Sequence, residues 1–346
     1  GEVKGLLGDL SLRDFTINAM AFAPDNYKVI DPHGGESDIG KKLIRAVGDP
    51  EARFREDPLR LLRGVRLAAE LQFRIHESTT RGLSSIASQL ASVAPERIRE
   101  ELMKILFIPK PSRAFNIMVR TGLLEVFIPE LLEGYLKRQN QYHRYTIFKH
   151  IIETVDHVRP EPILRLTSLF HDIAKPRSRI KKEGKWSFYG HEKESALLAE
   201  EILNRLRFGN EVIRKVVNLI RHHMIGYNAG WSDAAVRRLI RRVGAEQIND
   251  LLIFRRADLL AHGQADQKFE LSTELEMRVK EQIRHKAPTG RQDLAVDGNV
   301  IMEITGLTPG PEVGRILRVL NEKVLDYPEL NTRDDLVALM KDMEKS

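Results

Sequence analysis

Residues 49–71 read DPEARFREDPLRLLRGVRLAAEL, and the texture of the chain changes inside this stretch. Before Asp49-Pro50, short apolar runs alternate with polar residues; after it, Leu59, Leu62, Val65, Leu67 and Leu71 recur near helical spacing. Glu56-Asp57-Pro58-Leu59-Arg60-Leu61-Leu62-Arg63 stands at the start of that helix, where the macrodipole favours carboxylates. The fold class follows from this junction: a small mixed α/β part, then a long, mostly α chain.

Upstream, Phe15 to Asp31 reads as strand, turn, strand, turn, ending in Asp31-Pro32-His33-Gly34-Gly35. Downstream, Ala94-Pro95-Glu96 starts a helix carrying Ile98, Leu102, Ile105 and Leu106 on one face. Breaks are expected at Pro109 to Pro111, Pro160 to Pro162, Lys181 to Lys185, Tyr227 to Trp231 and Ala287 to Gly290. In the tail, Pro309-Gly310-Pro311 starts a helix with Val313, Ile316, Leu317, Leu320 and Val324 on one face. Thr332 is placed to cap a last helix through Met340.

The 346 residues exceed the usual size of one hydrophobic core, so two or more packed units are expected. Hydrophobic residues at 42% and charged residues at 30% describe a globular chain and exclude a disordered one. No apolar run approaches the roughly 20 residues of a membrane helix, and the N-terminus has no signal pattern. A cytoplasmic protein without a membrane partner is the expectation. With no cysteine, disulfides and thiolate metal sites are excluded, so any metal is held by His, Asp or Glu. The net charge of +6 favours an anionic partner such as nucleic acid, although many basic proteins bind none.

Two features carry chemistry on their own residues. Asp57 and Arg60, three apart, lie on one helical face and offer acceptors beside a planar fork of donors, as reading the Watson–Crick edge of a base requires. In isolation the same spacing is more often a capping carboxylate with an ion pair. His171-Asp172 emerges from an apolar run containing Leu164, Leu166, Leu169 and Phe170, and an adjacent His/Asp pair on such a segment usually means a metal.

The order of motifs supplies the context. Arg13-Asp14-Phe15-Thr16-Ile17-Asn18-Ala19-Met20-Ala21, Asp31-Pro32-His33-Gly34-Gly35-Glu36-Ser37-Asp38-Ile39 and Arg45-Ala46-Val47-Gly48-Asp49-Pro50 precede Glu56 to Arg63. This series resembles the motifs of class II tRNA nucleotidyltransferases, which complete the CCA end of tRNA, and of the related bacterial poly(A) polymerases. The resemblance implies that Arg13, Asp14 and Asn18 hold the ribose and phosphates of a nucleotide. Asp57 and Arg60 would read its base, Glu56 would orient them, and Arg63 would complete the nucleotide site. Asp31 and Asp38 would belong to a hinge. Pro95 to Leu102 and Gly122 to Phe127 look like the family's neck helices. Asp293 to Gly298, Pro309 to Pro311 and Tyr327 to Asn331 look like its RNA-binding tail. Arg237, Arg238, Arg241, Arg242, Arg255 and Arg256 are candidate phosphate contacts; any one of them alone is more often part of a solvated helix face.

Two departures stand out. Leu12 precedes Arg13 where the family often has a second arginine. The family's first motif, a Gly-Ser followed by an Asp-x-Asp pair that holds Mg²⁺ for nucleotidyl transfer, is expected before Arg13 and does not occur in the twelve residues there. The sequence as read is therefore expected to bind tRNA and nucleotide but to polymerise poorly.

His150, His171, Asp172, His191, His222 and Asp258 are spaced as in the HD phosphohydrolase superfamily, which the middle of the chain resembles. The resemblance implies that His150, His171, Asp172 and Asp258 hold one divalent metal, with His191 and His222 assisting a second or binding phosphate. A set of imidazoles and carboxylates without cysteine suits Mn²⁺, Ni²⁺, Mg²⁺, Fe or Zn²⁺. Lys175, one turn on, is a candidate catalytic group neutralising a phosphate oxygen, or else caps a helix C-terminus near Pro176. His143, His157 and His223 are as readily ordinary core or surface residues.

The fold expected is thus mostly α: the remnant of a nucleotidyltransferase α/β head (1–50), a helical neck for nucleotide base and RNA (51–135), a helical HD domain (136–285) and a helical tRNA-binding tail (286–346). The function expected is addition or repair of the 3′-terminal CCA of tRNA from CTP and ATP, with HD phosphohydrolase activity. A standalone HD phosphatase or 2′,3′-cyclic phosphodiesterase, a poly(A) polymerase and an A-adding enzyme are the alternatives. The partners implied are tRNA, ATP and CTP, and a homodimer is left open.

Overall fold

The structure, a computed structural model, describes residues 2–344 other than 26, 140–143, 183–184, 263–265, 285–287 and 289. The chain begins with α1 (Glu2–Ser11) and the antiparallel hairpin β1 (Ala21–Ala23) and β2 (Lys28–Ile30), in which Phe22 pairs with Val29. The first expected strand is shorter than the sequence suggests. Phe15 only bridges Ala46, and Thr16–Asn18 form a 3-10 turn before β1.

After α2 (Gly35–Gly40) and β3 (Leu43–Ile44), the chain makes α3 (Pro50–Glu56) and α4 (Leu59–Leu71), and β4 (Arg74–Ile75) returns parallel to β3. Glu56-Asp57-Pro58 therefore straddles two helices instead of opening one. Asp57 is extended, φ −149°, because a proline ring at the next position disfavours helical backbone before it. On α4 the buried stripe is Leu61, Leu62, Val65, Ala68 and Ala69; Leu71 points to solvent. Gly64 lies against the Phe15 ring, where an added Cβ would stand 2.8 Å from Cζ.

The helical run continues with α5 (Glu77–Ile86), α6 (Pro95–Phe107), α7 (Pro111–Thr121), α8 (Leu123–Phe127), α9 (Ile147–His157) and α10 (Pro162–Phe170). The break expected at Lys181 to Lys185 falls within an antiparallel hairpin, β5 (Ile180–Lys182) and β6 (Lys185–Ser187). Then follow α11 (His191–Arg205), α12 (Asn210–His222), α13 (Asp233–Val243), α14 (Ile248–His262), α15 (Asp266–Arg284), α16 (Gly298–Thr305), α17 (Pro311–Asp326) and α18 (Arg333–Glu344). Proline at the first turn of α3, α6, α7, α10 and α17 sits where a helix has no use for an N–H. Among the described residues no helix is long and apolar enough to cross a membrane.

Two compact units result, one of residues 1–223 with 257–264, the other of 224–256 with 265–346. In the first, one apolar core runs from Phe15 through Phe54, Phe115, Phe148 and Phe170 to Ile220. Polar ties pin its helices: buried Glu101 of α6 accepts from Arg66 Nε of α4 at 2.6 Å, and Asp156 of α9 accepts from Ser112 N and Oγ of α7 at 2.9 and 2.7 Å. In the second, Val313, Ile316, Leu320 and Val324 of α17 pack with Ile301, Leu336 and Met340, and Thr332 Oγ1 accepts from Asp335 N. The tail stripe read from the sequence is this core, with Leu317 only partly buried.

Candidate functional site

The deepest chemistry in the first unit is a knot of imidazoles and carboxylates. Thr146 caps α9, accepting from Lys149 N at 3.3 Å, and Ile147, Ile151 and Val155 bury the face from which His150 projects inward. His171 and Asp172 follow directly on the apolar α10, and both are essentially inaccessible. Gly190 turns the chain from the hairpin into α11 with φ 76°, left-handed backbone that glycine adopts without strain, so that His191 begins the helix pointing into the same space. Asp258 and His262 enter from the C-terminal part of α14.

The donor atoms converge. His150 Nε2 lies 2.9 Å from Asp258 Oδ1, 3.4 Å from Asp172 Oδ2 and 3.2 Å from His171 Nε2. His171 Nε2 is 3.2 Å from Asp172 Oδ2, and His191 Nε2 is 3.2 Å from Asp172 Oδ1. Three overlapping ligand groups form among the described residues: His150, His171 and Asp172; Asp172, His191 and His223; and His150, Asp258 and His262. Nδ1 of His171, His191 and His223 faces the carbonyl of Ser168, Phe188 and Ile220 at 2.9, 2.6 and 2.7 Å. Such bonds fix each ring and, in the neutral ring, leave the Nε2 lone pair for the centre.

The set fits a divalent cation. Ligands about 2.1 Å from a metal stand roughly 3.0–3.4 Å from one another, close to the spacing among His150, His171, Asp172 and Asp258 and from His191 to Asp172, while His223 and His262 stand farther out, each 3.8 Å from the nearer carboxylate oxygen. Asp172 Oδ1 and His191 Nε2 are both buried and, although they face each other, make no hydrogen bond among the described residues. Buried polar atoms left so are costly unless something else satisfies them. The electrostatics point the same way. Burial opposes charge on His171, yet the Asp172 and Asp258 carboxylates outweigh it and push the ring up to about 10. Burial also opposes the carboxylates, but the surrounding rings, with Lys175 beside Asp172, hold both well below their ordinary range. Burial drives His223 down to about 3 and His262 to about 4.

Not every expected residue arrives. His222 faces Asn218 O through Nδ1 at 2.9 Å and belongs to none of the three groups, whereas His223 does. The buried stripe of α12 runs through Ile213, Val216 and Ile220, and its next step at i+3 is position 223. His262, one turn after Asp258, was missed; that i+4 spacing on one helix was the available signal. His157 is exposed, and His143 lies outside the described residues. The buried Lys175 ammonium donates to Asp172 Oδ2 at 2.6 Å and Gln139 Oε1 at 3.1 Å, so it holds the Asp172 carboxylate in place.

At the other end, motifs far apart in sequence meet. Arg63 Nε donates to Asp14 Oδ2 at 2.6 Å, and Arg60 Nη2 donates to the carbonyl of Leu12 at 3.1 Å. Glu56 Oε2 accepts from Arg60 Nη1 at 2.8 Å and from Arg53 Nη1 at 2.9 Å. Asp57 is held by Arg97 Nη2 at 2.8 Å instead of by Arg60. Arg13 pairs with Asp9 and Asn18 is exposed. Asp31 accepts from Gly35 N and Glu36 N at the start of α2, and buried Asp38 accepts from Thr16 Oγ1 at 2.7 Å and Arg45 Nε at 3.0 Å. In the second unit several expected phosphate contacts are engaged within the protein. Arg237 is buried on Leu325 O and Gln282, Arg238 and Arg241 pair with Glu322, and Arg256 stacks on Phe269.

Comparison with known proteins gives three family matches: the Poly A polymerase head domain over residues 2–45, the probable RNA and SrmB-binding site of polymerase A over 72–134, and the HD domain over 145–263. The A-adding tRNA nucleotidyltransferase of Deinococcus radiodurans is 33% identical over 329 residues, covering 91% of this chain and 74% of the relative. The CC-adding tRNA nucleotidyltransferase of Thermus thermophilus is 33% identical over 326 residues, covering 91% and 72%. A crystal structure of the Bacillus stearothermophilus CCA-adding enzyme in complex with CTP superposes with a TM-score of 0.71 at 23% identity, over 98% of this chain and 75% of that one.

Proposed function

Since the chain belongs to the tRNA nucleotidyltransferase family of enzymes, we propose that it adds or repairs the 3′-terminal CCA of tRNA using CTP and ATP, and that its HD centre hydrolyses phosphoesters. The observation that carries the first half is the meeting of α4 with the Leu12 to Asn18 segment: Arg63 on Asp14, and Arg60 on Leu12 O. On this reading Arg13, Asp14, Asn18 and Arg63 hold the nucleotide and Asp57 and Arg60 read its base, and the Arg63 to Asp14 bond supports it by joining the two motifs. Glu56 aims Arg60, and Arg97 aims Asp57, so each base-facing group has its own orienting partner. A cytoplasmic location suits such a substrate. The two relatives at 33% identity are named for A addition and CC addition, so which nucleotides are added is what the assay must read.

In the HD centre, His150, His171, Asp172 and Asp258 would hold one metal, and His191 with His223, in place of His222, stands on the other side of Asp172. His262 supports Asp258 from one turn away. A divalent metal bound there polarises a phosphoester and activates water toward it. The carbonyls of Ser168, Phe188 and Ile220 orient the rings, and Lys175 fixes Asp172.

The chain joined to a head segment that supplies the Asp-x-Asp pair ahead of Gly1 is to be given tRNAs ending before the CCA, after one C and after CC, with labelled CTP or ATP. Stepwise C, C and A incorporation is expected; no incorporation on any acceptor refutes the nucleotidyltransferase reading. Intact HD ligands favour a second reading, a standalone phosphohydrolase. It is supported if phosphate is released from 2′- or 2′,3′-cyclic nucleotides, and release is lost in His171→Ala, while incorporation is absent.

A further inference from the structure

The hairpin β5–β6 carries charge that the HD centre does not use. Residues 177–189 read RSRIKKEGKWSFY, five cationic side chains against one acidic. Arg177 is engaged, donating from Nη2 to Glu133 at 2.6 Å. Arg179 is not. Its guanidinium carbon lies 3.6 Å from the centre of the Trp186 ring, its Nε is buried, and it has no acceptor or ion-pair partner among the described residues. Lys181 Nζ is 5.7 Å from the same ring, on an exposed residue, also without a carboxylate among the described residues. Trp186 in turn packs on the apolar core. Stacking of this kind fixes cations; the buried Nε of Arg179 is out of reach, and its terminal Nη groups and Lys181 Nζ are the donors left for an acceptor from outside.

The hairpin ends at the wall of the metal cluster. Beyond β6, buried Phe188 lies under Lys175 Nζ at 5.6 Å and its carbonyl holds His191 Nδ1 at 2.6 Å. Between them and the ligand His191 stands Tyr189, 80% exposed, a large aromatic ring presented to solvent. His191 lies five positions beyond Trp186, a reach of at most about 18 Å. Fixed cations leading to an exposed ring, which leads to a phosphoesterase centre, is the pattern of single-strand binding: phosphates on the cations, a base on the aromatic face.

We propose that Arg179 and Lys181, fixed on Trp186, together with Tyr189 form the entry rim of the HD centre and take a single-stranded RNA end. The phosphates lie against Arg179 and Lys181, and a base stacks on Tyr189. The substrate class is then a polynucleotide ending in a phosphate or cyclic phosphate, in preference to a free nucleotide. This rests on the reading of the cluster as a phosphoesterase.

Two measurements test it. The chain has two tryptophans, so Trp231→Phe leaves Trp186 as the sole indole reporter. Titration with a short single-stranded oligoribonucleotide is expected to change its fluorescence saturably. Removing both cations by Arg179→Gln with Lys181→Gln lowers the salt slope by about 1.4, roughly 0.7 for each phosphate no longer neutralised. Tyr189→Ala weakens binding about tenfold. No response to the oligonucleotide, or a response indifferent to these substitutions, overturns the proposal.

In the second measurement, the ratio of kcat/KM for a cyclic-phosphate-ended oligonucleotide to that for a 2′,3′-cyclic mononucleotide falls about tenfold in the same variants. An unchanged ratio means that the hairpin does not select the substrate, and overturns the proposal. If the unsubstituted protein hydrolyses neither substrate with any divalent metal, the phosphoesterase reading fails instead, and the fluorescence titration alone decides the strand-binding surface.

Discussion

Asp172 belongs to two of the three ligand groups, which makes Asp172→Asn the sharpest single perturbation of the HD centre. The amide keeps the shape and removes the charge. Two effects separate. In metal-free protein the substitution strips the anion from Lys175, whose side chain is 8% exposed and whose other partner is the Gln139 amide oxygen. Removing one member of a buried pair costs about 3–5 kcal/mol, and the low end applies because Gln139 still accepts. For a unit of this size about 3 kcal/mol corresponds to roughly 6–12 °C in Tm. Metal adds the second effect. At a metal concentration a hundred times Kd, the unsubstituted protein gains about 2.7 kcal/mol, roughly 5–11 °C.

Asp172→Asn should lose nearly all of that gain. Asp258→Asn, which touches only one of the three groups, should retain the part supplied by Asp172, His191 and His223. The assay is thermal unfolding of chelator-treated protein with and without Mn²⁺ or Ni²⁺. Metal-induced shifts of equal size in Asp172→Asn and the unsubstituted protein would refute the reasoning, as would no shift in the latter with any divalent ion tried.

Three further outcomes follow from other parts of the fold. Gly64→Ala places a Cβ 2.8 Å from Phe15 Cζ, against a fully buried ring, and should cost about 1–3 kcal/mol in urea unfolding, with part recovered by adding Phe15→Leu. Glu101→Gln should cost about 2 kcal/mol, below the usual cost of breaking a buried pair, because Arg66 keeps Glu70 at 2.9 Å; Lys104→Ala, removing an exposed partner at 3.4 Å, should stay within about 0.5 kcal/mol. Asp57→Ala should weaken CTP and ATP binding in calorimetric titration about tenfold, near 1.4 kcal/mol, and unchanged affinity for both would count against the base-reading role.

The reading of the tail helices from Pro311 and Thr332 illustrates what short-range signals can do: a proline at the first turn and a hydroxyl at the cap act within one turn, so position along the chain specifies them. The β3–β4 pairing illustrates the opposite. Leu43 and Arg74 become partners across two helices, and nothing local to either two-residue strand announces it.

The helical period, the helix starts at prolines, the family and most of the residues that converge in the His/Asp cluster were legible in the sequence, because these depend on residue type and spacing along one element. Which of two adjacent histidines turns into that cluster came from the tertiary structure alone. His223 turns inward and His222 faces Asn218 O because the buried face of α12 is set by its packing, not by residue type. It likewise decided that Glu56-Asp57-Pro58 joins two helices, and that Asp57 is held by Arg97, forty residues along the chain. Which carboxylate meets which cation is a matter of distance in space, and between Asp57 and Arg97 that distance is set by the packing of α4 against α6.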